Sequence, residues 1–225
     1  MTSIKVMMEV GRKRTFASAL AWPGWCRSGR DEQSALKVLA DYGLRYARVV
    51  HNTGIDFQIP ANSSGFTVVE RLEGNANTDF GAPAVIADAE RVPIDQVEYV
   101  RLIELLKACW KIFDTAVQRA EGKELRKGPR GGGREPEKIL LHVIGADQEY
   151  LRRLAWKQKN DNAINPEDEL RQTREAILTA LDVAVKEGLP EQGPHGGAIW
   201  PPRYFIRRSA WHVLDHAWEI EDRIL

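Results

Sequence analysis

Near residue 92 the chain changes character, and that change limits what it can fold into more than any other feature. Before it lie short β-branched runs broken by glycine, proline and asparagine; after it come long helical periods. Ile4 to Val10 and Arg14 to Ala21 read as two strands joined by a turn at Gly11-Arg12-Lys13. Pro23-Gly24 breaks the second strand. Ser28-Gly29-Arg30-Asp31 then leads into a helix whose apolar side carries Ala35, Leu36, Leu39, Leu44 and Ala47. Asn52 to Ser64 is loop, Phe66 to Glu70 is a further strand, and Asn75 to Pro93 is a linker or strap. The first part therefore reads as β-β-α-β.

The remainder reads as four helices, near residues 97–121, 136–158, 166–187 and 202–223. In the first, Val100, Ile103, Leu106, Trp110, Phe113 and Val117 recur at spacings of three and four. Gly128 to Gly133 is a flexible basic loop, and Pro136 suits the first turn of the second helix. Asn165-Pro166-Glu167 supplies an N-cap, a first-turn proline and a first-turn carboxylate for the third helix, and Gly188 followed by Pro190 stops it. Gly193 to Gly197 is loop, and Pro201-Pro202 opens the fourth. Short connections between amphipathic helices imply a four-helix bundle. The expected fold is α+β in two domains: an α/β module plus linker over residues 1–92, and the bundle over 93–225.

Composition narrows the function. Thirty-two basic residues balance 32 acidic ones, so the basic excess of a nonspecific nucleic-acid binder is missing. The two cysteines, Cys26 and Cys109, lack metal-type spacing. With no signal-like N-terminus they read as free thiols in a cytoplasmic protein. No apolar run approaches ~20 residues, so no membrane span is expected.

The chemistry concentrates in three of the five histidines. His212 and His216 stand four apart in His-Val-Leu-Asp-His on the last helix, one turn apart on one face. His142 sits on an earlier helix among Ile139, Val143 and Ala146, where a bundle would bring it opposite the pair. Three imidazoles without a fourth protein ligand describe an open divalent-metal site. Zinc or nickel suits it first, with iron or manganese as alternatives. His51 and His195 fall outside it. Phe205, Arg208, His212, His216 and Glu219 share one stripe, while His142 shares a sector with Glu149 and Tyr150. Arg208 is thus the best placed of Arg203, Arg207 and Arg208 to meet an acidic substrate. Glu219 is a candidate hydrogen-bond acceptor for a ligand imidazole; Asp215 projects off the stripe. Trp211 and Trp218 read as packing residues. Gly131-Gly132-Gly133 lacks the Lys-Ser/Thr of a phosphate loop.

These motifs carry two resemblances. Leu140-Leu141-His142-Val143-Ile144-Gly145-Ala146-Asp147-Gln148-Glu149-Tyr150, followed by Trp211-His212-Val213-Leu214-Asp215-His216-Ala217-Trp218, resembles the DinB/YfiT-like superfamily over residues 95–225. The resemblance implies a four-helix bundle in which His142, His212 and His216 bind a divalent metal. It also implies a small-molecule substrate: in several relatives the metal activates a cellular thiol for transfer or isomerisation. The N-terminal strand-turn-strand, then Pro23-Gly24-Trp25-Cys26, Gly29 and a helix through Glu32 and Ala35-Leu36, resembles the HicB-like antitoxin fold. That implies an RNase H-like α/β module without nuclease residues, suited to self-association into a homo-oligomer or to binding a partner. The expected function is a metal-dependent enzyme acting on a thiol or water, with Arg208 as its catalytic-site arginine. The alternative is a non-catalytic metal-binding protein with an N-terminal interaction module.

Overall fold

A computed structural model describes residues 3–127, 135–157, 163–193 and 196–225, and it is mixed α+β. The sequence readings at Gly128–Gly133 and His195 lie outside the described residues. Strands β1 (Ile4–Val10), β2 (Thr15–Ala19), β3 (Cys26–Gly29) and β4 (Phe66–Glu73) form one sheet in the order β3-β2-β1-β4. The first three strands are antiparallel neighbours, while β4 returns parallel to β1 with a register shift between Val6 and Met7. The Gly11 N–H donates to the Arg14 carbonyl at 2.9 Å and closes the first hairpin. The strand β3 was not read from sequence: four residues containing Arg and Gly carry too little alternation, and pairing with β2 is what makes them a strand.

The helix expected after Asp31 is two helices, α1 (Glu32–Asp41) and α2 (Gly43–Val50). Asp31 caps α1 through a reciprocal bond pair with Ser34. The chain bends at Tyr42, and the break rotates the following residues. Tyr46, Val49 and Val50 turn inward and Leu44, expected on the apolar side, is 68% exposed. The presumed linker contains a short helix, α3 (Ala76–Phe80), capped by Asn75. Four longer helices follow: α4 (Gln96–Ala120), α5 (Pro136–Leu151), α6 (Pro166–Glu187) and α7 (Pro202–Arg223). In α4 the buried stripe runs through Tyr99, Leu102, Ile103, Leu106, Trp110 and Phe113, leaving Val100 at 54% exposure. The second long helix stops at Leu151, short of the expected residue 158. A 3-10 turn at Arg152–Leu154 and the left-handed Ala155 end it.

Helix α7 packs along α4 and against α5, and α5 packs against α6. The sheet has two covered faces. Val6, Met8, Ala17 and Ala19 belong to the same apolar core as Ala35 and Leu39 of α1, and that core continues without a break into α4, α5, α6 and α7. On the other face Phe16 and Cys26 pack with Trp211 of α7. The Phe16 and Trp211 rings meet edge-to-face, 6.1 Å between centroids. Glu9, on the same strand face as Met7, is fully buried. It accepts from the Thr78 hydroxyl at 2.5 Å and from the backbone N–H groups of Ala84 and Val85 at 2.9 and 3.1 Å, which ties the segment after α3 to the sheet.

The turn Trp22-Pro23-Gly24-Trp25 is the wedge between sheet and helices. Tyr46 donates its hydroxyl to the Pro23 carbonyl at 2.8 Å and stacks on Trp25, whose indole N–H donates to the Leu39 carbonyl at 2.9 Å. Arg101 of α4 donates to the Ala21 carbonyl at 2.8 Å and lies over the Trp22 ring. Gly24 adopts φ +88°, and a Cβ there would stand 2.7 Å from Leu214 Cδ1 and 3.2 Å from the Ala210 carbonyl. Two costs therefore fall on one substitution: left-handed backbone and overlap with α7. Gly24→Ala should destabilise by about 1–3 kcal/mol more than Gly54→Ala. Gly54 shares a positive φ of +72° but has nothing within 4 Å of its Cβ position. Urea denaturation of both variants separates backbone strain from steric overlap; equal losses would show that Gly24 is not wedged.

Candidate metal centre

Helix α5 presents His142 and α7 presents His212 and His216, and the packing of α7 on α5 brings the three together. One ring nitrogen from each lies within 4.8 Å of the others. Nε2 of His142 and Nε2 of His212 stand 3.2 Å apart. Ring centroids are separated by 5.1 Å for His142–His212, 5.0 Å for His142–His216 and 4.7 Å for His212–His216. His212 is 6% and His216 9% exposed, while His142 is half-buried and opens the cluster to solvent. Two nitrogens 3.2 Å apart are compatible either with one N–H donating to the other or with two lone pairs on one cation. Tetrahedral coordination at ~2.0–2.1 Å puts neighbouring nitrogens about 3.3 Å apart, so this pair is already close to ligating distance.

The groups behind the cluster orient it. His216 Nδ1 lies 2.9 Å from Glu219 Oε2, and Arg223 donates to Glu219 Oε1 at 2.6 Å. The hydrogen bond from His216 holds the Glu219 carboxyl below its ordinary range, and Arg223 adds to the effect. Ionised Glu219 only accepts, so Nδ1 of His216 carries the hydrogen and Nε2 is the nitrogen left to face an ion. A ligand histidine anchored through its other nitrogen to a carboxylate is the usual outer support of a metal site. Asp215, expected off the stripe, pairs with Arg27 at 3.0 Å away from the cluster and joins α7 to the sheet.

The three arginines in the first half of α7 have separate fates. Arg203 is closed by Glu98 and by the Val92 and Pro93 carbonyls. Arg207 is buried on Glu90 and also donates to the Val85 carbonyl. Burial works against its charge, but the Glu90 carboxylate outweighs it and keeps its pKa above the ordinary arginine value. Arg208 lies over Trp211 (4.6 Å) and Tyr150 (5.5 Å), and the Tyr150 ring is 5.8 Å from His212. Burial is the largest cause of a raised Tyr150 pKa, so this phenol stays protonated. Glu149, expected to share the His142 sector, is spent on Arg152 and Arg153 instead. His51 sits at the C-terminal cap of α2, outside the cluster.

Asp147 escaped the sequence reading. It is fully buried on α5 and accepts from the Ser209 hydroxyl of α7 at 3.3 Å. The signal was present: Asp147 interrupts the apolar stripe of Ile139, Val143, Ile144 and Leu151, where a carboxylate is costly without partners. Burial pushes its pKa up to about 7, against the opposing pull of Arg174 and Ser209. Both cysteines are buried and unpaired, and burial raises both thiols, Cys26 to about 12. Such thiols are not nucleophiles at neutral pH. A groove of about 1130 Å³ opens between α4 and α6, past Trp110, Asp114, Leu170 and Arg174, and contains none of the histidines. No described helix is long and apolar enough to cross a membrane.

No family model, no curated protein and no solved structure matches the chain.

The raised pKa of Asp147 makes a signed prediction. Between the ordinary value of 3.8 and about 7 the folded chain keeps a proton that the unfolded chain has released. Stability contributed by the protonated form is therefore full below the lower value and is lost as pH rises through the upper one. Asp147→Asn has no such proton, so its stability relative to wild type should improve steadily across that window and then level. Urea midpoints for both proteins across the window test this; a constant difference would mean that Asp147 titrates as an ordinary carboxylate.

Proposed function

We propose that the chain is a DinB-like metal-dependent protein whose His142, His212 and His216 hold one divalent ion, zinc or nickel first. The observation that carries this reading is the convergence of three imidazole nitrogens from two helices within 4.8 Å, with His216 anchored by Glu219. Neutral imidazole is a borderline donor suited to these metals, and nothing in the cluster supplies a negative charge that would favour calcium or magnesium. The resemblance is supported by the placement of the three histidines on α5 and α7. The HicB-like reading of the N-terminal module is supported by the strand order β3-β2-β1-β4 with a parallel final pair.

An ion held by three histidines lowers the pKa of a bound thiol or water and so supplies a nucleophile at neutral pH. The protein's own part is to orient and to shelter. Glu219 fixes the His216 ring, Arg223 fixes Glu219, and the packed backbones of α5 and α7 hold the nitrogens in register. Tyr150 and Trp211 supply apolar walls beside His212. The reaction class we infer is group transfer or hydrolysis on a small molecule, with a cellular thiol as the favoured co-substrate.

One observation favours the non-catalytic alternative. Glu219, the carboxylate that touches His216, is already engaged by both His216 and Arg223 and is not free to act as a general base. The two readings separate in two measurements. Elemental analysis of protein purified without an affinity tag should find about one divalent ion per chain in wild type and in His51→Ala, and a background level in His212→Ala. Equal metal in His212→Ala would reduce the triad to packing. With metal established, turnover of an electrophilic acceptor in the presence of small thiols, lost in His216→Ala, supports the enzyme. Its absence with every thiol leaves the metal-binding protein.

A further inference from the structure

Helix α7 brings three guanidinium groups toward the segment before α4, and two of them are neutralised. Arg203 pairs with Glu98 and Arg207 with Glu90. Among the described residues no carboxylate lies within ion-pair distance of Arg208. Its contacts among those residues are the Pro83 carbonyl at 3.3 Å, the Trp211 face and the Tyr150 face. Arg208 is half-buried and stands one turn before His212 on the same stripe. The other charges around the cluster cancel: Asp215 is matched by Arg27 and Glu219 by Arg223.

A partly desolvated guanidinium held by a carbonyl and aromatic faces is incompletely compensated, because cation–π contact returns part of the lost hydration and no opposite charge. The aromatic faces also fix the plane of the fork, so its remaining N–H groups are presented in a set direction. A carboxylate matches that planar edge with two oxygens and brings one negative charge against one positive. A phosphate dianion would call for a second cation, and Arg203 and Arg207 are both taken.

We infer that Arg208 is the specificity residue of the histidine site, binding the carboxylate of a small organic acid whose body lies against Tyr150 and Trp211. This rests on the proposal that the histidine site is where small molecules bind, but it does not require the metal itself. It assigns a substrate or co-substrate class: monocarboxylates with an apolar or aromatic body.

The experiment is calorimetric titration of the full chain with benzoate, its neutral isostere benzamide, and inorganic phosphate. Wild type should bind benzoate at least tenfold more tightly than benzamide or phosphate. Arg208→Gln should lose at least tenfold in benzoate affinity while its weak benzamide binding is unchanged. Arg208→Lys keeps the charge but not the fork, and should fall several-fold below wild type, which guards against a folding defect in Arg208→Gln. Competition by N-acetyl amino acids of aromatic side chain would extend the class. Absence of benzoate binding in wild type, equal binding in Arg208→Gln, parity of benzamide with benzoate, or tighter binding of phosphate would each overturn the inference. Metal content measured on the same samples keeps the two proposals apart. His212→Ala tests the ion and Arg208→Gln should retain it, so loss of carboxylate binding in Arg208→Gln with metal intact is assigned to Arg208 alone.

Discussion

The rest of the structure depends on α7 being buried almost all the way round. Helices α4 and α5 cover one side, while Phe16, Cys26 and the segment pinned by Glu9 cover another. A helix on a protein surface normally hides one stripe and hydrates the remainder. This one carries Arg207, Ser209, His212 and His216 among its buried residues, so its polar groups must be answered from other elements. Glu90 answers Arg207 and Asp147 answers Ser209, while Arg27 answers the half-buried Asp215. Each answer comes from a different part of the chain, and together they dock the sheet and the strap onto the helices.

That arrangement sets where chemistry can occur. Nitrogens that are to share an ion must be held within a few tenths of an ångström, and loops do this less well than packed helices. The cluster lies where α5 meets α7, at the margin of the apolar core, so His212 is sheltered while His142 reaches solvent. The rings that flank it, Tyr150 and Trp211, are themselves held: Tyr150 by Trp200 and Arg208, and Trp211 by Phe16 of the sheet. The sheet thus contributes to the environment of the histidines without supplying one of them.

The wedge at Pro23-Gly24 shows how a local motif gains its meaning from distance. From sequence it is a turn that ends a strand. In the fold it is the point where the sheet meets α4 and α7, with Arg101, Tyr46 and Leu214 arriving from three separate helices. The interruption at Tyr42 is similar. Residues 35 to 47 can be placed on one apolar face of a single helix, yet the break at Tyr42 makes two shorter helices that bury Tyr46 and release Leu44.

The long helices and the three histidines were legible in the sequence because both depend on local periodicity. Spacings of three and four place residues on one face whatever lies opposite, and Asn165-Pro166 and Pro136 mark helix starts through backbone geometry alone. The neutral charge and the i, i+4 pair needed no more than counting. What only the tertiary structure decided is partnership. Arg203, Arg207 and Arg208 are alike in sequence, and the difference between an ion pair and an uncompensated guanidinium was set by Glu98 and Glu90, more than a hundred residues upstream. Asp147 looked like one more helical acid until α7 covered it. Local pattern determines which way a side chain points; what it meets there is set by contacts distant in sequence, and the energies of charge and desolvation reside in those contacts.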